Sequence, residues 1–163
     1  MPDAENSLAL GEFARTLDER HRVSIPPELL KGLASPNGKW VVAKERRGCL
    51  SVWPEGAWKQ QLNQGMKVVA AKMEAGSLKG RVAEVQLLGR MLSTGHKDAV
   101  ELDKQHRLLI PEGFREFLGI EPGGSVLVIG AAVCVELWRP DAFTAYVEKR
   151  IPRFRKLLEK LSS

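Results

Sequence analysis

The chain has 163 residues, 44% hydrophobic and 28% charged, proportions ordinary for a soluble globular protein of one domain or two small units sharing a core. Its formal net charge is +5, and residues 144–163 hold six Lys/Arg against two Asp/Glu, so a nearly neutral body ends in a basic tail. Such a balance permits a nucleic-acid partner without demanding one, and two cysteines, Cys49 and Cys134, without CxxC or Cys/His ligand spacing, exclude a disulfide framework.

The opening "MPDAENSLAL" is acidic and has no basic start before an apolar stretch. It reads as a frayed tail over residues 1–10 and not as a signal peptide. A short strand, "EFARTL", leads into the turn Asp18-Glu19-Arg20-His21-Arg22, and a second, "RVSI", follows. Pro26 fits the first turn of a helix, where a missing N–H costs nothing, so "PPELLKGL" is predicted to be helical. After the turn "SPNGK", the runs "WVVAKE" and "CLSVW" predict a hairpin. Two helices are then predicted across a spacer. Trp58, Leu62, Met66, Val69 and Met73 form one apolar stripe, Leu78, Val82, Val85, Leu88 and Leu92 another, and Gly76 separates them.

The pattern then restarts. "DAVEL", the turn Asp103-Lys104-Gln105-His106-Arg107, "RLLI", the helix "PEGFREFLG", the turn "EPGGS" and the hairpin "SVLVIG" with "VCVELW" follow in the same order. A helix after "RPDAF" runs to about Arg150, where Ile151-Pro152 ends or kinks it before the basic tail. Displaced by 85 residues, Leu17, Asp18, His21, Arg22, Ile25 and Pro26 meet Leu102, Asp103, His106, Arg107, Ile110 and Pro111. Gly38, Cys49 and Trp53 likewise meet Gly123, Cys134 and Trp138. The chain is therefore a duplication of a ββαββ unit, each copy too small to bury a good core alone, so the two are expected to pack as a pseudo-twofold pair. The longest apolar run, Val126–Val135, is too short to span a bilayer. Both cysteines fall in strand-like apolar runs, which predicts buried free thiols in a cytoplasmic protein.

The repeated turn has two readings. Asp at a turn start accepts hydrogen bonds from backbone N–H groups two or three residues on, and pairs with the Arg four residues later. That describes a self-satisfied hairpin turn with a surface ion pair. Alternatively the Asp shapes the loop while the Arg and its neighbours project as donors; a guanidinium fork suits phosphate oxygens or a guanine edge.

The doubled DxxxR turn with its apolar run and proline, together with "GCLSVWPEGAW" and "LDKQHRLLIPEGFREFLGI", resembles the MraZ family of bacterial transcriptional regulators, from about Gly11 to about Val147. The resemblance implies a mixed α+β fold: two tandem ββαββ units of SpoVT-AbrB type, packed as a pseudo-twofold swapped-hairpin β-barrel with flanking helices. Its parts would be repeat 1 over residues 11–58, a helical spacer over 59–97, repeat 2 over 98–143 and a C-terminal basic helix over 144–163. It implies a ring-shaped homo-oligomer, associated with the nucleoid, that binds repeated boxes in double-stranded DNA upstream of the division and cell-wall gene cluster. No cofactor and no membrane partner are implied. The DxxxR turns would contact DNA through Arg20, His21, Arg22, Lys104, His106 and Arg107, with Asp18 and Asp103 shaping them. One departure stands out: the family places Gly before the motif Arg, where this chain has His21 and His106. Glycine there suggests positive φ, which histidine tolerates less freely.

No G-x-S-x-G, HExxH, Walker or dinucleotide-binding pattern is present, so catalysis is not expected. The alternative to a regulator is an AbrB-like protein-interaction module of the antitoxin type. The basic tail and the Arg46-Arg47 hairpin tip are expected to be solvated surface.

Overall fold

A computed structural model describes residues 8–163. Most of the expected N-terminal tail lies outside the described residues; its last two, Ala9 and Leu10, open a strand instead. That strand, β1 (Ala9–Thr16), leads to β2 (Arg22–Ser24), α1 (Pro27–Lys31), β3 (Lys39–Arg46) and β4 (Cys49–Pro54). The spacer holds α2 (Glu55–Glu74), a 3-10 turn (Lys79–Arg81) and α3 (Val82–Thr94). The second unit follows as β5 (His96–Glu101), β6 (Arg107–Leu109), a 3-10 turn (Glu112–Phe114), α4 (Arg115–Leu118), β7 (Ser125–Ala132), β8 (Val135–Trp138) and α5 (Pro140–Glu148). A final 3-10 turn (Ile151–Arg153) and α6 (Phe154–Ser162) end the chain. The helices after Pro26 and Pro111 are shorter than the sequence pattern predicts. In the second, Gly119 at φ 73° closes α4 after one turn, the left-handed ending that glycine permits.

The two units interlock through their strands. A six-stranded antiparallel sheet runs β1-β7-β8-β4-β3-β5, and β2 pairs with β6 as a separate ribbon. The leading strand of each unit thus pairs with the hairpin of the other. In two ladders a residue faces its own counterpart 85 positions away: Val23 opposite Leu108, and Ser51 opposite Glu136. The pseudo-twofold axis passes through those pairs. The sheet is open, with β1 and β5 at its edges, and the strands beyond them pair with each other, so no closed barrel ladder forms among the described residues.

The main core fills the space between the ribbon and the inner face of the sheet. Val23, Ile25, Leu108 and Ile110 come from the ribbon side, Leu50, Val52, Val128, Val135 and Leu137 from the sheet, and Leu29 and Leu118 from the short helices. Each large side chain buried there contributes about 1.5–3 kcal/mol, and half of the lining belongs to each unit. On the outer face, Val41, Ala43, Cys49 and Trp138 are buried under the first turns of α2 and α5. Trp58 lies 5.7 Å from Trp53, and Phe143 and Tyr146 lie 5.2 and 5.0 Å from Trp138, ring centre to ring centre. The stripes expected to bury the spacer helices do so only halfway: Trp58, Leu62, Met66, Val69, Val85 and Leu88 are half-buried, and Met73 and Val82 are exposed, because no further layer covers them.

Candidate nucleic-acid interface

Both turns are built by one set of bonds. In the first, Asp18 Oδ1 accepts from the backbone N–H groups of Arg20 (2.9 Å) and Arg22 (2.8 Å), while Oδ2 accepts from Arg22 Nε at 2.8 Å. In the second, Asp103 Oδ1 accepts from Gln105 and Arg107 N–H, each at 2.9 Å, and Oδ2 from Arg107 Nε at 2.7 Å. The backbone closes each hairpin: Asp18 N–H donates to Arg22 O, and Asp103 N–H to Arg107 O. His21 and His106 take φ values of 60° and 59°, the left-handed conformation anticipated for the family's glycine position. Their carbonyls then accept from the opposite unit, His21 O from Ile110 N–H and His106 O from Ile25 N–H, both at 2.9 Å. Each turn is thereby anchored to the other unit's strand.

The ribbon brings the two arginines onto one face. Val23 and Leu108 point into the core, so by strand alternation Arg22, Ser24, Arg107 and Leu109 point away from it. Arg22 stands opposite Leu109 and Arg107 opposite Ser24. With about 3.4 Å per residue along a strand and about 5 Å between strands, the two arginine Cα atoms are ~8 Å apart. Each guanidinium is ion-paired with its Asp through Nε, and among the described residues its terminal amino groups make no hydrogen bond. The side chains keep 26% and 31% of their accessible surface, so both forks reach solvent. Arg20 and Lys104 are exposed beside them. Ser24 and Leu109, counterparts across the axis, lie on the same face. The motif reading missed them, although alternation from the arginine two positions earlier marks them.

The carboxylates of Asp18 and Asp103 are held below the usual range, first by the backbone N–H of the motif arginine and then by its guanidinium, with partial burial opposing. The histidines differ. His106 is exposed, whereas His21 is half-buried and its Nδ1 is enclosed without a hydrogen-bond partner among the described residues. Of the remaining candidates, Cys49 and Cys134 are free and buried, and burial pushes the Cys134 thiol up to about 12 and that of Cys49 higher still. Such thiols are not nucleophiles at neutral pH. Among the described residues no group of His, Cys, Asp and Glu is placed to hold a metal ion, and no helix is long and apolar enough to cross a membrane.

A family model described as "MraZ protein, putative antitoxin-like" matches residues 8–76 and 94–161, the two units with their flanking helices. The chain is 30% identical over 154 residues to a protein of Heliobacterium modesticaldum named "Transcriptional regulator MraZ", covering 94% of this chain and 96% of that one. A protein of the same name from Clostridium beijerinckii is 30% identical, with 95% and 97% covered, and one from Treponema denticola is 27% identical, with 93% and 95% covered.

Proposed function

Since the chain belongs to the MraZ family, we propose that it is a sequence-specific DNA-binding transcriptional regulator that meets duplex DNA with the outer face of the β2–β6 ribbon. The carrying observation is the pair of guanidinium forks, one per unit, tethered by Nε on a common face with their terminal amino groups free. In this reading Arg22 and Arg107 contact phosphate or guanine, Arg20, His21, Lys104 and His106 add phosphate contacts, and Asp18 and Asp103 shape the turns. The exchange of leading strands between units supports an AbrB-type swapped-hairpin arrangement. The targets would be short repeated boxes upstream of the division and cell-wall gene cluster, with the protein at the nucleoid in the cytoplasm.

Two forks per chain give modest affinity, so a ring of copies engaging successive boxes supplies the rest by multivalency. Exposed apolar side chains support such assembly: Val68, Val82 and Met91 on the spacer helices, and Phe154, Leu157 and Leu161 on α6. The same faces, with the antitoxin-like description of the family, favour a second reading, a module that binds a partner protein. Titrating DNA from upstream of the protein's own gene separates them. The native chain retains that DNA and loses it as salt rises, whereas Arg22→Ala with Arg107→Ala abolishes retention with the melting temperature little changed, since solvent-reached ion pairs contribute roughly 0–1 kcal/mol and each Asp keeps its two backbone N–H donors. Retention that survives the double substitution overturns the assignment to the turns.

A further inference from the structure

A second cluster of arginines lies on the opposite side of the molecule. Tyr146 of α5 packs on Trp138, on the outer face of the sheet, and carries two guanidinium groups over its ring: Arg46 Cζ at 4.2 Å and Arg150 Cζ at 3.7 Å from the centroid. Arg150 Nη1 also donates to Tyr146 O at 2.5 Å. Arg46 comes from the β3–β4 tip of the first unit, while Tyr146 and Arg150 belong to the second. Gly48 seals that junction. Its N–H donates to Phe117 O (3.0 Å), its carbonyl accepts from Arg139 N–H (2.8 Å), and a Cβ there would lie 2.7 Å from the Ala142 Cβ. One ring thus gathers a guanidinium from each unit, and the pair offers planar forks suited to phosphate oxygens.

We propose that Arg46, Arg47, Lys149, Arg150 and Arg153 form a second phosphate-binding surface, which takes the backbone of a second DNA segment. The proposal rests on the DNA-binding reading of the turns. None of these five groups has an ion-pair partner among the described residues. Of the carboxylates nearby, Asp141 is paired with Arg139 Nε at 2.5 Å, whereas Glu45 and Glu136 accept from the neutral donors Ser51 Oγ (2.6 Å) and Trp138 Nε1 (2.9 Å) and keep their charge; with the exposed Glu148 of the same helix, three unpaired acids stand against five cations. The cluster cannot serve the duplex held by the turns. The ribbon, the core, the sheet and a helix layer separate the two faces, and sheet and helix layers are each about 10 Å thick. Two faces that each hold a backbone make the chain a bridge between segments.

The test retains two duplexes. The full-length protein is bound to bead-tethered upstream DNA, and a labelled duplex of unrelated sequence is then added. The native chain holds the labelled duplex on the beads. Arg46→Ala with Arg150→Ala leaves binding of the tethered DNA within about twofold but flattens the salt dependence of second-duplex retention by ~2 charge equivalents, at about 0.9 per lost phosphate contact. Arg46→Glu with Arg150→Glu abolishes second-duplex retention while the tethered duplex is still bound, which shows that the chain remains folded. The proposal is overturned if the labelled duplex is never held, if bridging survives the reversed charges (which assigns it to turns of other copies), or if the cluster binds phosphatidylglycerol vesicles and no DNA. If the native chain fails to hold even the tethered duplex, the reading of the turns has failed first.

Discussion

The two DxxxR turns agree bond for bond, yet the strands that deliver them do not. β1 pairs with β7 without interruption from Ala9↔Ala132 to Thr16↔Ser125. Its counterpart β5 pairs with β3 through a register shift between Trp40 and Val42, and Ala99 within it has a φ of 55°. The irregular segment is held by Glu55, a buried carboxylate at the start of α2 that accepts from Ala99 N–H at 2.7 Å and from Asn37 Nδ2 at 3.3 Å. Pro140 stands at the corresponding place in the second unit and can do neither. The turn therefore does not inherit its shape from a perfect strand. Asp, left-handed His and Arg set it locally, and the opposite unit's N–H to the His carbonyl fixes its place.

The comparison breaks first at the axis, where the units meet as equals. Leu108→Ala removes a fully buried side chain facing Val23 and is expected to cost about 2–5 kcal/mol, with Val23→Ala costing ~2 kcal/mol for its smaller loss. Urea denaturation should stay a single transition in both. Two transitions would mean that one unit stands without the other, contrary to the interlocked strands.

Glu55→Ala probes the inequality of the supports. It leaves the Ala99 N–H without its acceptor, an expected loss of about 1–3 kcal/mol, with amide exchange hastened in β5 and unchanged in β1. Equal quickening in both strands would show that Glu55 supports the whole sheet and not one edge of it.

The turns themselves are expected to fail together in acid. Both Asp values are depressed, so their contribution is complete above the ordinary carboxylate pKa of about 4 and is lost as pH falls through the lower folded-state values. Asp18→Asn with Asp103→Asn should flatten that acid limb of stability and leave neutral-pH titrations elsewhere unchanged. An unaltered limb would place the acid-sensitive carboxylates outside the turns.

These features were unequally legible in the sequence. The repeats, the succession of elements and both turns could be read because they depend on local patterns written twice; that the units pack on each other followed from their small size, while their exchange of strands was implied by the family resemblance alone. The meeting of Arg22 and Arg107 on one ribbon face followed once β2 and β6 were paired. The open sheet did not, since edge closure depends on distances no spacing records. The Glu55–Ala99 contact joins residues 44 positions apart, and Glu55 reads in sequence as an ordinary helix-start acid. The Arg46–Tyr146–Arg150 stack was hidden for the same reason: its parts come from different units, and each alone looks like solvated surface.

The smallest effect separates the histidines. Both hold left-handed φ, a strain of about 1–2 kcal/mol that glycine would relieve, while glycine's freer unfolded chain returns about 0.5–1 kcal/mol. His106→Gly, at an exposed site, should therefore stabilise by about 0.5–1 kcal/mol. His21 carries the further burden of an enclosed, unpartnered Nδ1, so His21→Gly should stabilise by ~0.5–1 kcal/mol beyond His106→Gly in thermal denaturation. The order also bears on function. If the histidines donate to phosphate, the stabilised His21→Gly variant binds DNA more weakly than the native chain, and stability and affinity move in opposite directions. Affinity that is untouched in both variants would leave the two residues as turn formers, with the arginines alone meeting the duplex.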